Sequence, residues 1–322
     1  MKRLTLLLNV CLFLVLFGCE KTELLSPSSQ VTNIELEMSG LNDLGDVFWY
    51  ELWLTWQEGE SNLSKSLGVF RIDGQGQCLP NRFNVKLGDL QRAVAFFITI
   101  EEDDLPGLRL LENTPGVIDT LSGPGPYKIL AAKFITNKAH YSIGDEYLLN
   151  FDFASARGTY LLNAVSVEQT SPSASGIWFI NKDEQGQLIA GLDLPDLPAG
   201  WSYQGWVVIN SVSLSTGKFI SNKGTDQTAT YYNSAQGGYP FPGEDFITNP
   251  PQGLSFPLDL SGKEIYITLH PPLPENCPAP YSAKLFAATV PNGAQRMVVY
   301  ELENQIGSFP SGRLEVSIDM FK

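Results

Sequence analysis

The side chains able to do chemistry are few and scattered. His140 and His270 are the only imidazoles. A serine hydrolase would need one of them beside a nucleophile, usually on a sharp turn of the form Gly-x-Ser-x-Gly, and that motif is absent from the sequence. His270 precedes Pro271-Pro272 at the end of an apolar stretch, where a plain loop role is the expectation. Asn181-x-Asp183-x-Gln185-Gly186 imitates the first half of a calcium loop. Its twelfth position is Leu192, where a bidentate carboxylate is required, so a strand-connecting turn is expected instead. Glu101-Glu102-Asp103-Asp104 reads as an acidic loop that blunts a sheet edge. Gly74-x-Gly76 lacks the third glycine of a dinucleotide loop, since Leu79 stands there. No cofactor, metal set or catalytic group is therefore assigned. One segment reads as a ligand loop: Tyr231 to Phe246, with Tyr239, Phe241, Glu244, Asp245 and Phe246 as contact residues. The same rings are equally suited to capping a core, and composition alone leaves both uses open.

The elements that must position these groups are short strands. Leu314, Val316, Ile318 and Met320 alternate with Glu315, Ser317 and Asp319, and Ile34, Leu36 and Met38 alternate around Glu35 and Glu37. A period of two gives a strand one dry and one wet face. Trp49–Trp56 and Gly205–Ile209 are apolar on both faces, as central strands are. With 29 Gly and 21 Pro as punctuation and no long helical periodicity, the class is all-β.

The pattern repeats. Leu41-x-Asp43-Leu44 with Tyr50 and Trp53 recurs 153 positions later as Leu194-x-Asp196-Leu197 with Tyr203 and Trp206. Ser66-x-Gly68-x-Phe70 recurs as Ser215-x-Gly217-x-Phe219, Ile98-Thr99-Ile100 as Ile267-Thr268-Leu269, and Lys128-Ile129-x-Ala131-Ala132 as Lys284-Leu285-x-Ala287-Ala288. Order is kept while gaps drift, which marks a duplication. Two tandem immunoglobulin-like β-sandwiches are expected, at 31–168 and 176–322, joined by a linker at 169–175.

The N-terminus reads as an export signal: Lys2-Arg3, an apolar run Leu4–Phe17, then Leu16-Phe17-Gly18-Cys19. The run is too short to span a bilayer as a helix. The last four residues resemble a bacterial lipobox, which implies cleavage after residue 18, lipidation of Cys19 and a tether at 19–30. The expected place is the cell envelope, lipid-anchored, on the periplasmic side or the cell surface. Losing Lys2 and Arg3 takes the net charge from −14 to −16, a balance that excludes nucleic acid as a partner. Cys78 and Cys277 remain, one in each repeat. An oxidising compartment permits their pairing, but their spacing does not decide it.

The repeat resembles the C-terminal domain of anti-sigma-K factors (RskA-like), carried by Tyr50-x-x-Trp53, the Ser-x-Gly-x-Phe motif, Ile98-Thr99-Ile100-Glu101 and Lys128-Ile129-Leu130-Ala131-Ala132 in the first copy. The second copy carries it on Tyr203-Gln204-Gly205-Trp206, Ser215-Thr216-Gly217-Lys218-Phe219 and Ile267-Thr268-Leu269. The resemblance implies an extracytoplasmic β domain with a sensory role. That family's sigma-binding helical domain and membrane helix have no counterpart here, so no direct sigma-factor contact is expected. His270 stands where the first copy has Glu101. The expectation is a non-enzymatic binding or interaction lipoprotein, contacting an envelope protein or a glycan. The rival expectation is a lipid-anchored carbohydrate-handling protein or hydrolase with a site dispersed over loops.

Overall fold

The computed structural model describes residues 30–102, 124–165, 174–226 and 238–317. The signal, Cys19, the tether, most of the linker and Tyr231–Gly237 lie outside the described residues. Among the described residues no helix is long and apolar enough to cross a membrane.

The chain is all-β. The first half holds β1 (Val31–Ser39), β2 (Phe48–Glu58), β3 (Ser61–Ile72), β4 (Cys78–Leu79), β5 (Arg82–Lys86), the short helix α1 (Leu87–Arg92), β6 (Ala95–Glu102), β7 (Lys128–Ile135), β8 (Lys138–Tyr141) and β9 (Gly158–Leu162). The second holds β10 (Ile177–Trp178), β11 (Ile180–Lys182), β12 (Leu188–Ala190), β13 (Ser202–Ile209), β14 (Val212–Phe219), β15 (Gly243–Glu244), β16 (Glu264–His270), β17 (Ala283–Thr289), β18 (Val299–Asn304) and β19 (Ser311–Val316).

Two large antiparallel sheets result. Their orders are β4-β3-β2-β6-β7-β8-β19-β1-β5 and β14-β13-β16-β17-β18-β9-β10-β15. Leaving aside β4, the orders correspond strand for strand, so the duplication extends to topology. In each, the two ends of the sheet approach one another, β3 toward β5 and β14 toward β15, so each sheet curls on itself. The hairpin β11–β12 forms a small sheet of its own beside β9 and is closed by the Asp183 turn. There Asp183 Oδ1 accepts the N–H groups of Gln185 and Gln187 at 3.0 and 2.8 Å, the turn expected from sequence.

One correspondence is crossed. β9 follows β8 in the chain, but pairs with β18 through Leu161–Val299 and Tyr160–Tyr300. β19 follows β18, but pairs with β8 through Leu314–Ala139 and with β1 through Leu36–Leu314. Each half therefore lends its last strand to the other's sheet. Hydrogen bonding thus crosses twice between the two expected units, 31–168 and 176–322. A single apolar cluster accordingly runs from Ile34 in β1 through Tyr160 and Phe286 to Val316 in β19. Between the halves, Tyr50 Oη donates to Asn42 O at 2.7 Å and lies 3.3 Å from Pro280 O, and Asn42 N–H donates to Pro280 O at 2.7 Å.

Candidate functional site

The motifs shared by the repeats build one polar device twice, on the outer face of each curled sheet. A β-bulge falls beside the tryptophan, between Leu52 and Trp53 and between Gly205 and Trp206. Its partner strand supplies Gly68 and Gly217, both left-handed at φ +124° and +123°. A side chain at Gly217 would run into Asp226, its Cβ 2.2 Å from Oδ2, which is why the motif keeps glycine. The motif serine turns back to accept the glycine N–H, at 3.2 Å for Ser66 and 3.1 Å for Ser215.

The indole N–H of each tryptophan then donates to a threonine hydroxyl on the next strand: Trp53 to Thr99 and Trp206 to Thr268, each at 2.9 Å. Thr99 then donates to Glu101 Oε1 at 2.7 Å, since a carboxylate only accepts, whereas Thr268 Oγ1 lies 2.7 Å from His270 Nε2 and donates to Gln204 O at 3.4 Å. Burial, reinforced by the charge of Lys218, pushes the His270 pKa down to about 4, in keeping with a neutral ring. A lysine completes each copy: Lys128 Nζ lies 4.4 Å over Phe97 and Lys284 Nζ 4.3 Å over Tyr266.

The two copies differ in access. In the first, Glu51, Trp53, Phe97, Thr99 and Ala131 are all at or below 5% exposure. In the second, Trp206 and Tyr266 are half-buried where Trp53 and Phe97 are buried; His270 and Lys284 are half-buried as their counterparts Glu101 and Lys128 are, Gln204 and Thr268 are buried as Glu51 and Thr99 are, and Ser213, Lys218 and Glu264 are exposed. Trp206 is the one tryptophan of the chain's six that is not buried. Its ring lies nearly parallel to that of Tyr266, at 20° and 6.0 Å between centroids. The Tyr266 hydroxyl donates to Ser213 Oγ at 2.9 Å, and Lys284 also pairs with Glu264 at 2.9 Å. This arrangement offers a small aromatic surface edged by donors and acceptors.

Of the ligand loop expected from sequence, Glu244, Asp245 and Phe246 are turned inward, while Tyr239 and Phe241 are half-buried. Glu244, Asp245 and Phe246 are at 1, 0 and 0% exposure. Glu244 Oε1 accepts the N–H groups of Asp245 and Phe246 at 2.8 and 3.0 Å, and Phe246 packs on Phe256 at 5.2 Å. The Tyr239 ring meets Trp178 edge-on at 5.2 Å, its hydroxyl accepts Asn163 Nδ2–H at 2.6 Å, and Phe241 packs in the same cluster. Glu244 and Asp245 thus satisfy backbone N–H groups inside the turn, and Phe246 joins the core.

Elsewhere, His140 is exposed on β8 opposite Arg313, far in the fold from His270. Cys78 is buried and Cys277 half-buried, both as thiols, and burial pushes each to about 11. Among the described residues no three His, Cys, Asp or Glu side chains gather as a metal set. A cavity of about 560 Å³ opens where the two exchanged connections cross, lined by Ile143, Phe151, Phe153, Ile306, Phe309 and Asp152 among others. Compared with protein-family models, curated proteins and solved structures, the chain matches none.

Proposed function

We propose that this protein is a non-enzymatic binding module of the cell envelope, held by lipid at Cys19, that engages its partner through the outer face around Trp206 and Tyr266. The observation that carries this reading is the contrast between the copies. One polar-aromatic device is built twice, and its two rings are buried in the first repeat as Trp53 and Phe97 but half-buried at the surface in the second as Trp206 and Tyr266, which supports a use of the second copy beyond packing. The lipobox supplies the anchor. The resemblance to the anti-sigma-K C-terminal domain supports a sensory use, acting through a second membrane protein rather than by contact with a sigma factor.

The test is co-sedimentation of the purified mature chain with isolated envelope fragments. Wild type should sediment with them, and Trp206→Ala and Tyr266→Ala should remain in the supernatant. Equal sedimentation of all three would overturn the reading. In cells, Cys19→Ala should abolish fatty-acid labelling and membrane retention.

A further inference from the structure

We infer that the cavity between the two exchanged connections is a second binding site, for a small ring compound that is neutral or carries an amine. The cavity shares none of its described lining residues with the Trp206 face. Both halves must carry the chain from one sheet to the other, and they do so with very different lengths. The second half crosses with residues 305–310, between β18 and β19, and the first with 142–157, between β8 and β9. The short connection shows that the crossing itself does not need the long one. Loops longer than about 12–15 residues without secondary structure of their own are uncommon in compact domains and, where ordered, usually serve a function. The long connection is held in place throughout. Asp145 Oδ1 and Oδ2 accept the N–H groups of Tyr147 and Lys133 at 2.9 and 3.0 Å, Asn150 N–H donates to Asp145 O at 2.9 Å, and Phe151 N–H to Gly144 O at 3.1 Å. A side chain at Gly144 would bring its Cβ within 2.2 Å of Phe151 O, so glycine lets the loop close on itself. Asn304, the last residue of β18, donates from Nδ2 to Phe153 O and Ala156 O at 2.8 and 3.1 Å, which fixes the long connection against the other half.

A wall held in this way keeps its cavity before any ligand arrives. The volume of about 560 Å³ falls within the roughly 300–1,000 Å³ of small-molecule sites. Apolar and aromatic side chains form much of the lining. Ile143 is 1% and Phe153 3% exposed, Phe151 meets Phe153 edge-on at 4.9 Å, and Phe309 lies 5.6 Å from Phe153. Aromatic groups of this kind favour a further ring, packed edge-to-face or offset. Ser142, Asn150 and Ser311 add hydroxyl and amide groups suited to a polar substituent. Asp152 is the only charged residue among the described residues of the lining. An acidic lining on a chain of net charge −14 repels a carboxylate or a phosphate and admits a hydroxyl or an ammonium. A compound of one or two rings bearing either group meets all of these conditions.

The experiment uses three probes that share one ring system and differ in charge: naphthylethylamine, naphthylmethanol and naphthylacetate, each titrated into the mature chain by calorimetry. The amine and the alcohol should bind, and the acid should bind at least about tenfold more weakly than the amine. Ile306→Trp, which adds bulk to the lining from an exposed position, should abolish binding of both. Gly307→Trp serves the same purpose, because nothing lies within 4 Å of a Cβ placed there. Each variant is first shown to unfold cooperatively near wild type, and either one suffices if the other does not fold. Asp152→Asn keeps an acceptor for the Ala154 N–H, 3.0 Å from Oδ1, and should narrow the gap between amine and acid to about threefold or less. Absence of binding by all three probes would overturn the site, as would binding that the tryptophan variants leave unchanged. Acid binding as tight as that of the amine would overturn the ligand class.

Discussion

Trp53 and Trp206 make the same 2.9 Å hydrogen bond to a threonine one strand away, but Trp53 is 3% exposed while Trp206 is half-buried at the surface. One motif is thus covered in the first repeat and reaches the surface in the second. Trp53→Ala removes a fully packed indole and should cost about 3–5 kcal/mol in denaturant unfolding. Trp206→Ala should cost clearly less. Because the other five tryptophans are buried, acrylamide should quench one component of the emission, and Trp206→Phe should abolish that component alone.

The exchange of β9 and β19 bears on whether either half folds alone. β9 is apolar on both sides: Tyr160 and Leu162 join the main core, while Leu161 packs with Trp178 and Ile180. β19 is one-sided, burying Leu314 and Val316 and giving Arg313 and Glu315 to water, where Arg313 pairs with Glu37 at 2.8 Å and Glu315 with Lys138 at 2.9 Å. Putting β19 in the place of β9 would press Arg313 and Glu315 against the Trp178 cluster, a costly burial of charge. Residues 176–322 alone should therefore lack a cooperative melt. Mixing them with residues 30–168 should restore one, read by circular dichroism and by a one-to-one complex in sedimentation. A stable, two-state 176–322 fragment would show that the second sheet closes without β9.

Stability should fall between about pH 6.5 and pH 4 through His270. Its folded pKa is depressed to about 4 by burial and by Lys218, so the unfolded chain takes up a proton that the folded chain refuses. The stabilisation from the neutral ring is complete above about pH 6.5 and disappears as pH drops toward 4, amounting to no more than ~3 kcal/mol. His270→Gln should flatten that part of the pH–stability curve, measured by chemical denaturation.

At lower pH the relevant group is Asp89. Burial opposes its ionisation, but hydrogen bonds from Lys65 at 3.0 Å and Arg92 at 2.7 Å outweigh that and hold the carboxyl below the usual aspartate range. Its contribution is present above the ordinary aspartate pKa, about 4, and is lost as pH falls through the lower folded value. Asp89→Asn should cost about 2 kcal/mol at neutral pH and less than that at pH 3.

Alternation and duplication made the strand class legible from sequence, and the shared Tyr50/Tyr203 and Trp53/Trp206 pairs mark equivalent places in the two sheets. What alternation reports is which faces are dry, not which strand is the neighbour. The pairing of β9 with β18 joins positions more than a hundred residues apart, so local pattern does not carry it. One trace was available: Tyr160-Leu161-Leu162 is apolar on both sides, whereas Leu314-Glu315-Val316 is not, so the two cannot fill the same slot. In the loop through Tyr239 and Phe241, aromatic and acidic residues look alike in sequence whether they meet a ligand or satisfy a buried turn. Glu244 does the latter. The Trp206 face was hidden for the opposite reason: its residues belong to the repeat, and only the difference in covering between the copies sets it apart.

Pairing β1 with β19 also sets a timetable. Ile34 finds its partner Val316 only after nearly the entire chain has been made. At a synthesis rate of about 5–20 residues per second, the first sheet stands open for on the order of tens of seconds, with one side of β1 and of β8 unpaired. Unpaired strand edges recruit other chains. The nascent molecule is thus exposed to misassembly until its last strand arrives, and a holding chaperone along its route has a defined window in which to act.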